Sequence, residues 1–112
     1  MSSDPHLRVL HAARLVVDDV NRLVRVKRIR RAGQLLEAAE SIPANIKEAL
    51  GREKGPDRNK FYVYARGSAE ETNERLRARW ADGQVPDKDY WRIHNRLVTI
   101  VRMLDSLIAS GR

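Results

Sequence analysis

Apolar positions recur at alternating steps of three and four along nearly the whole chain, the period of a helix with one buried face. Leu10, Ala13, Val17, Val20 and Val24 form the first such stripe, with no glycine or proline inside it. Ahead of it, the run SDPH supplies a start: Ser3 or Asp4 can cap the helix, and Pro5 suits its first turn. A second stripe follows the basic junction RVKRIRR and takes in Ile29, Ala32, Leu36, Ala39, Pro43, Ile46 and Leu50. The third runs from a cap at Asp57 through Phe61, Ala65, Ser68, Thr72, Leu76 and Trp80, and ADGQVPD breaks it. Asp87 can cap the fourth, where Tyr90, His94, Leu97, Val101, Leu104 and Ile108 are widened by Ile93, Ile100 and Leu107. Nothing alternates with a period of two for long enough to be a strand. Four amphipathic helices with short connections predict one all-α domain over residues 1–112, an antiparallel up-down-up-down four-helix bundle. The terminal Met-Ser-Ser and Ser-Gly-Arg are expected to fray.

Within the second stripe, SIPANIKEALGR (residues 41–52) carries a proline in phase with the apolar positions. Proline has no N–H and its ring clashes with the carbonyl four residues back. Ser41 can cap a new helix there, or one kinked helix can run through. The unbroken phase favours the kinked helix, with the freed Ala39 carbonyl meeting water or the side chain of Ser41 or Asn45. The helix then ends near Gly51, at the loop GREKGPD.

Composition narrows the class. The chain has 112 residues, of which 42% are hydrophobic, enough for a core. There is no cysteine, hence no disulfide and no thiolate metal site. No apolar run approaches the roughly 20 residues that span a bilayer, and the N-terminal stretch lacks the apolar core of a signal peptide. A cytoplasmic protein with no membrane partner is expected. The net charge is +7, and only five of the 22 basic residues are lysines. Arginine matches phosphate with a rigid fork, although a GC-rich genome produces the same bias.

The run from Ser41 to Arg52, followed by FYVYARGSAEETNERL (residues 61–76), resembles the bacterial four-helix-bundle family named for intervening sequences in large-subunit ribosomal RNA. The residues that carry the resemblance are Ser41, Ile42, Pro43, Asn45, Ile46, Glu48, Gly51, Arg52, Gly67, Ser68 and Glu70. Ala49 stands where the family usually has glycine, and the first helix lacks the usual aromatic-led opening. The resemblance implies a bundle that assembles into a homo-oligomer, a pentameric ring in the first place. It also points to a relation with the accessory proteins of diversity-generating retroelements, which bind nucleic acid and a reverse transcriptase. Under it, Ser41, Pro43, Asn45, Glu48, Gly51, Gly67, Ser68 and Glu70 are structural or interface positions.

Two basic groups are the candidate site. RLVRVKRIRR holds Arg22, Arg25, Lys27, Arg28, Arg30 and Arg31 with no acidic residue. Lys47, Arg52, Lys54, Arg58, Lys60 and Arg66 make the second. Both are able to contact an RNA or DNA backbone, where each neutralised phosphate releases counterions. A solvated face that keeps the protein soluble is the plainer reading. Phe61, Trp80 and Tyr90 fall on inner stripes and are expected in the core. Tyr62 and Trp91 fall outside them, at a subunit interface or a bundle end. Gly67 lies mid-helix at a cost of about 1 kcal/mol relative to alanine, which a close helix approach would offset.

No catalytic set emerges. Ser68 has no base at motif spacing, and His6, His11 and His94 lack the preceding Glu of a di-iron bundle site. No cofactor or metal is expected. His94 is expected to be a hydrogen-bonded boundary residue, and Glu48 and the EETNE carboxylates to form helix-face pairs with Arg52, Arg75 and Arg77. A non-enzymatic, oligomeric nucleic-acid-binding scaffold is the expectation, with a protein-interaction adaptor as the alternative.

Overall fold

The structure, a computed structural model, describes residues 4–112 and consists of four helices. They are α1 (Pro5–Val26), α2 (Ala32–Leu50), α3 (Pro56–Ala81) and α4 (Asp87–Ser110). Asp4 caps α1 by accepting the His6 N–H at 2.8 Å. The alternative cap Ser3, and the fraying expected of Met1–Ser3, lie outside the described residues. The other two expected caps are displaced. Gly55, with φ 140°, caps α3 and leaves Asp57 in the first turn. Pro86 precedes α4, and Asp87 begins that helix while its carboxylate accepts the Trp80 indole N–H at 2.8 Å. The C-terminus is held where fraying was expected. Gly111 adopts a left-handed φ of 67°, the Arg112 N–H reaches the Leu107 carbonyl, and the Arg112 carbonyl accepts from Arg58 at 2.8 Å.

Each helix packs against its two neighbours, α1 and α3 both lying between α2 and α4. Short connections between such neighbours make the arrangement up-down-up-down. Two of the buried stripes match the sequence reading only in part. In α1 the core is Val9, Leu10, Ala13, Val16, Val20 and Leu23, so the expected Leu10, Ala13 and Val20 are inside, while Val17 and Val24 sit at its edge and Val16 and Leu23 take the inner places. In α3 the buried residues are Tyr62, Ala65, Ala69, Thr72, Leu76 and Arg79, while Phe61 and Trp80 pack from the rim. Tyr62, expected outside, is fully buried. α3 carries apolar side chains on several sides, so periodicity alone leaves its phase open. Two flanking helices decide it.

Burying Tyr62 requires a partner for its hydroxyl, because an unpaired buried polar group costs about 1–3 kcal/mol. His6 of α1 provides it: Nδ1 hydrogen-bonds the Tyr62 hydroxyl and the two rings stack 5.7 Å apart. Burial pushes the His6 pKa below 6.5; the Asp4 carboxylate opposes this, and the Arg58 and Arg112 charges reinforce it. The unfolded chain therefore binds a proton that the folded one resists. Stability is full above about pH 6.5 and falls as the pH drops below it. Urea unfolding at pH 7.5 and pH 5.0 should show a loss at the lower pH, and His6→Gln should reduce that difference. An equal difference in the variant would remove His6 from the account.

α2 runs through Pro43 as one helix. The side chains expected to meet the freed Ala39 carbonyl go elsewhere: Ser41 Oγ donates to Glu37 at 3.0 Å, and Asn45 Nδ2 donates to Ser41 at 2.9 Å. Each reaches back one turn on its own helix, which places the Ala39 carbonyl out of line for both. Gly67 is also a correction. It is exposed, and a Cβ built there meets nothing within 4 Å, so no close helix approach within the chain requires it. Gly67→Ala should raise the unfolding free energy by about 1 kcal/mol. Thermal melts check this, and an unchanged or lower Tm would show that the glycine answers to something outside the chain.

Candidate nucleic-acid interface

The up-down topology places the two basic groups at opposite ends of the bundle. The first group surrounds the α1–α2 connection; the second surrounds the α2–α3 connection, one helix length away. For the 19 residues of α2 that is about 28 Å. A single chain therefore does not merge them into one patch.

At the first end, Arg22 and Arg25 project from the last turns of α1, and Lys27, Arg28, Arg30 and Arg31 lie in or beside the loop. All six are exposed, and among the described residues none of their side chains takes part in a hydrogen bond or ion pair within the chain. The loop that carries them is nevertheless tightly held. Arg79 of α3, only 7% exposed, donates to the Arg30 carbonyl at 3.0 Å, to Arg31 at 3.0 Å and to Arg75 at 2.9 Å. The Arg30 N–H donates to Gln84 Oε1 at 2.6 Å. Arg31 sits in the left-handed region at φ 55°, unusual for a residue with a Cβ. Such a backbone persists only where its surroundings impose it, and the Arg79 fork on two successive carbonyls does so. Burial lowers the Arg79 pKa, with the Arg75 and Arg31 charges adding to the effect.

Beside the loop, an open depression of about 1010 Å³ is lined by Arg30, Arg31, Arg75 and Arg79, but also by Glu71, Glu74 and Asp82. Its charges are mixed, and Arg75 is paired with Glu71 at 2.7 Å. Of the six unpaired cations, Arg30 and Arg31 border this depression, and Arg22, Arg25, Lys27 and Arg28 lie on the end of α1 and the loop.

The second group is largely engaged within the chain. Arg58 is a structural cap: its guanidinium donates to the carbonyls of Ala49, Arg52 and Arg112 at 2.8–3.2 Å, tying the end of α2 to the C-terminus. Arg52 pairs with Glu48 at 3.3 Å, the expected i,i+4 pair, and stands 4.8 Å over Phe61. Lys60 stands over the same ring at 5.2 Å. Arg66 pairs with Asp105 of α4 at 2.6 Å. Lys47 and Lys54 remain exposed.

The motif residues do not converge on a pocket. Ser41, Asn45 and Glu48 make contacts along α2, Gly51 caps it, and Glu70 lies exposed on α3. Ser68 is half-buried, its carbonyl accepting from Thr72 at 2.7 Å. His94 behaves as expected, its Nδ1 hydrogen-bonded to Asn73 Oδ1 at 2.9 Å in a half-buried position. Among the described residues no cluster of three or more His, Asp or Glu could hold a metal ion, and no helix is long and apolar enough to cross a membrane.

Sequence reasoning missed Arg79 and the pair Asp19–Arg96. Arg79 follows Thr72 and Leu76 in the three-four phase, so its burial was visible in the pattern. Asp19 of α1 is buried, and its Oδ2 lies 3.0 Å from Arg96 Nε of α4 without an aligned hydrogen bond.

The geometry defines a class: a four-helix bundle with one free cationic end and no assembled catalytic set among the described residues. The chain belongs to the 23S rRNA-intervening sequence protein family, whose model matches residues 6–106. A crystal structure of a protein of unknown function from the S23 ribosomal protein family of Bacteroides thetaiotaomicron VPI-5482 has the same fold. Its TM-score is 0.81 at 22% identity, over 95% of this chain and 99% of that one. Among curated proteins, none matches the chain.

Proposed function

We propose that this protein is a non-enzymatic, oligomeric basic scaffold that binds RNA or DNA through the phosphate backbone. One observation carries the reading: six exposed cations at the α1–α2 end have no partner within the described chain, on a loop held in place by Arg79. Phosphate oxygens are the natural complement of such a surface, since arginine forks bind them bidentately. Assembly into a ring, a pentamer on the family resemblance, would repeat the cationic end around an axis and multiply its effect. On the same resemblance a reverse transcriptase is the partner to test for.

Fluorescence anisotropy with labelled structured RNA and single-stranded DNA at 50 and 200 mM salt tests the central claim. Six phosphate contacts correspond to a loss of affinity of about a thousandfold over that range. No binding at the lower salt would refute the reading. The adaptor reading draws on a different observation: Val63 and Tyr64 of α3 are 38% and 51% exposed, an apolar patch near the uncovered Gly67. A protein that copurifies in high salt, together with absent nucleic-acid binding, would favour it.

A further inference from the structure

At the α3–α4 turn, on the same end of the bundle as the basic loop, four rings form a fixed aromatic block. Trp80 stacks on Tyr90 at 4.0 Å with the planes 7° apart, and Tyr90 stacks on His94 at 5.4 Å and 16°. The three make a column. The column is itself pinned, by the Trp80 indole N–H on Asp87 at 2.8 Å and by His94 on Asn73 at 2.9 Å.

Trp91 stands across this column. Its ring is 5.7 Å from Trp80, 5.0 Å from Tyr90 and 5.5 Å from His94, at 72°, 79° and 89° to them. Trp91 therefore meets a set of three roughly parallel rings at near right angles. The residue is nevertheless 48% exposed, so about half of its surface stays open to solvent. The indole is large, flat, held by three neighbours and half uncovered.

The charges beside it fit one kind of occupant. Lys88 precedes Trp91 by three positions on α4, and Arg77 precedes Trp80 by three on α3, so each shares a helix face with its ring. Both are exposed, and neither is in a side-chain hydrogen bond or ion pair among the described residues. The acids close by are engaged: Asp87 with Trp80 and Asp89 with Arg92 at 3.3 Å. A half-exposed indole on an element that also carries a free lysine, beside a helix that carries a free arginine, has the chemistry of a single-stranded nucleic-acid platform, where a base stacks and the neighbouring phosphates meet Lys or Arg. A duplex keeps its bases stacked on each other and offers the ring nothing.

Building on the nucleic-acid reading above, we propose that the exposed part of the Trp91 indole stacks an unpaired base, with Lys88 and Arg77 on the flanking phosphates. The strand preferred at this end of the bundle is therefore single.

The test compares the full chain with Trp91→Ala and Trp91→Phe, using labelled single-stranded RNA and DNA 12-mers of unstructured sequence and a DNA duplex of equal phosphate count, at about 50 and 200 mM salt. Circular dichroism melts establish that the variants fold, and sedimentation establishes their assembly state. Trp91→Ala should weaken single-strand binding about tenfold and leave duplex binding and the salt slope unchanged. Trp91→Phe, which keeps an aromatic face, should recover most of the loss. Single-strand binding unaltered in Trp91→Ala, with the duplex bound equally well, would overturn the platform and leave the basic-end reading standing. So would a variant that falls apart in sedimentation and loses both ligands equally, which would make Trp91 a subunit contact. Failure of wild-type protein to bind any of the three probes would overturn both readings.

Discussion

Arg79→Met will lower the unfolding free energy by about 3 kcal/mol, because two charge-assisted hydrogen bonds across the α1–α2 connection are worth about 1.5–3 kcal/mol each. Methionine keeps most of the aliphatic volume, so the loss reports the guanidinium and not a cavity. The two bonds in question go to successive carbonyls, Arg30 and Arg31, at 3.0 Å each. They hold the residue with the left-handed φ of 55° and thereby set where α2 begins. For a chain of this size the shift is roughly 10 °C in Tm. Arg79→Lys separates charge from geometry: an ammonium keeps the charge but cannot span two carbonyls with a planar fork, so it should recover less than half of the loss. Thermal and urea unfolding measure both. A change under about 1 kcal/mol in the methionine variant would show that the loop is held by its own connections and by Gln84. Amide exchange at residues 27–31 should quicken in the same variant, since the clamp and the loop open together.

Changing Arg28, Arg30 and Arg31 together to Glu should reduce affinity for RNA or DNA at least a hundredfold at 50 mM salt. It should also lower the slope of log K against log salt by about 2.7, close to 0.9 for each phosphate contact removed. The side chains are exposed and unpaired within the described chain, so the folded state should tolerate the change. Lys47, Lys54 and Lys60 changed to Glu make the comparison, since they sit at the far end of the bundle. An equal loss from both triples would mean that binding follows total charge and not the α1–α2 end. The fold and the affinity are measured separately, so a destabilised triple is recognised as such.

The sequence exposed helix number, boundaries and topology because each is governed by local chemistry. Pro5 in a first turn and the break at ADGQVPD mark a helix start and a helix end, whereas Pro43, in phase with an apolar stripe, does not interrupt α2. The three-four period specifies that every helix has a buried side. Pairs such as Glu48–Arg52 and Glu71–Arg75 follow from spacing on a single helix, and both are present at 3.3 and 2.7 Å. His94 was legible for the same reason, as a polar residue on an apolar stripe. The basic groups were legible as composition, but their separation was not.

What the sequence by itself determined is the set of four amphipathic helices, their order and the presence of free cations at the α1–α2 junction. What only the tertiary structure decided is where the buried face of α1 and α3 is centred, and which polar groups that burial then has to satisfy. Tyr62 is in the core because α1 brings His6 to its hydroxyl across 56 residues of sequence. Arg79 is buried because the start of α2 presents two carbonyls to it, and Arg58 is removed from the candidate site because the C-terminus arrives beside it. Trp91 is held against Trp80, Tyr90 and His94 only because the α3–α4 packing brings Trp80 onto Tyr90. These contacts join residues distant in sequence, or rings whose relative tilt no periodicity encodes, and they are set by the packing of whole helices.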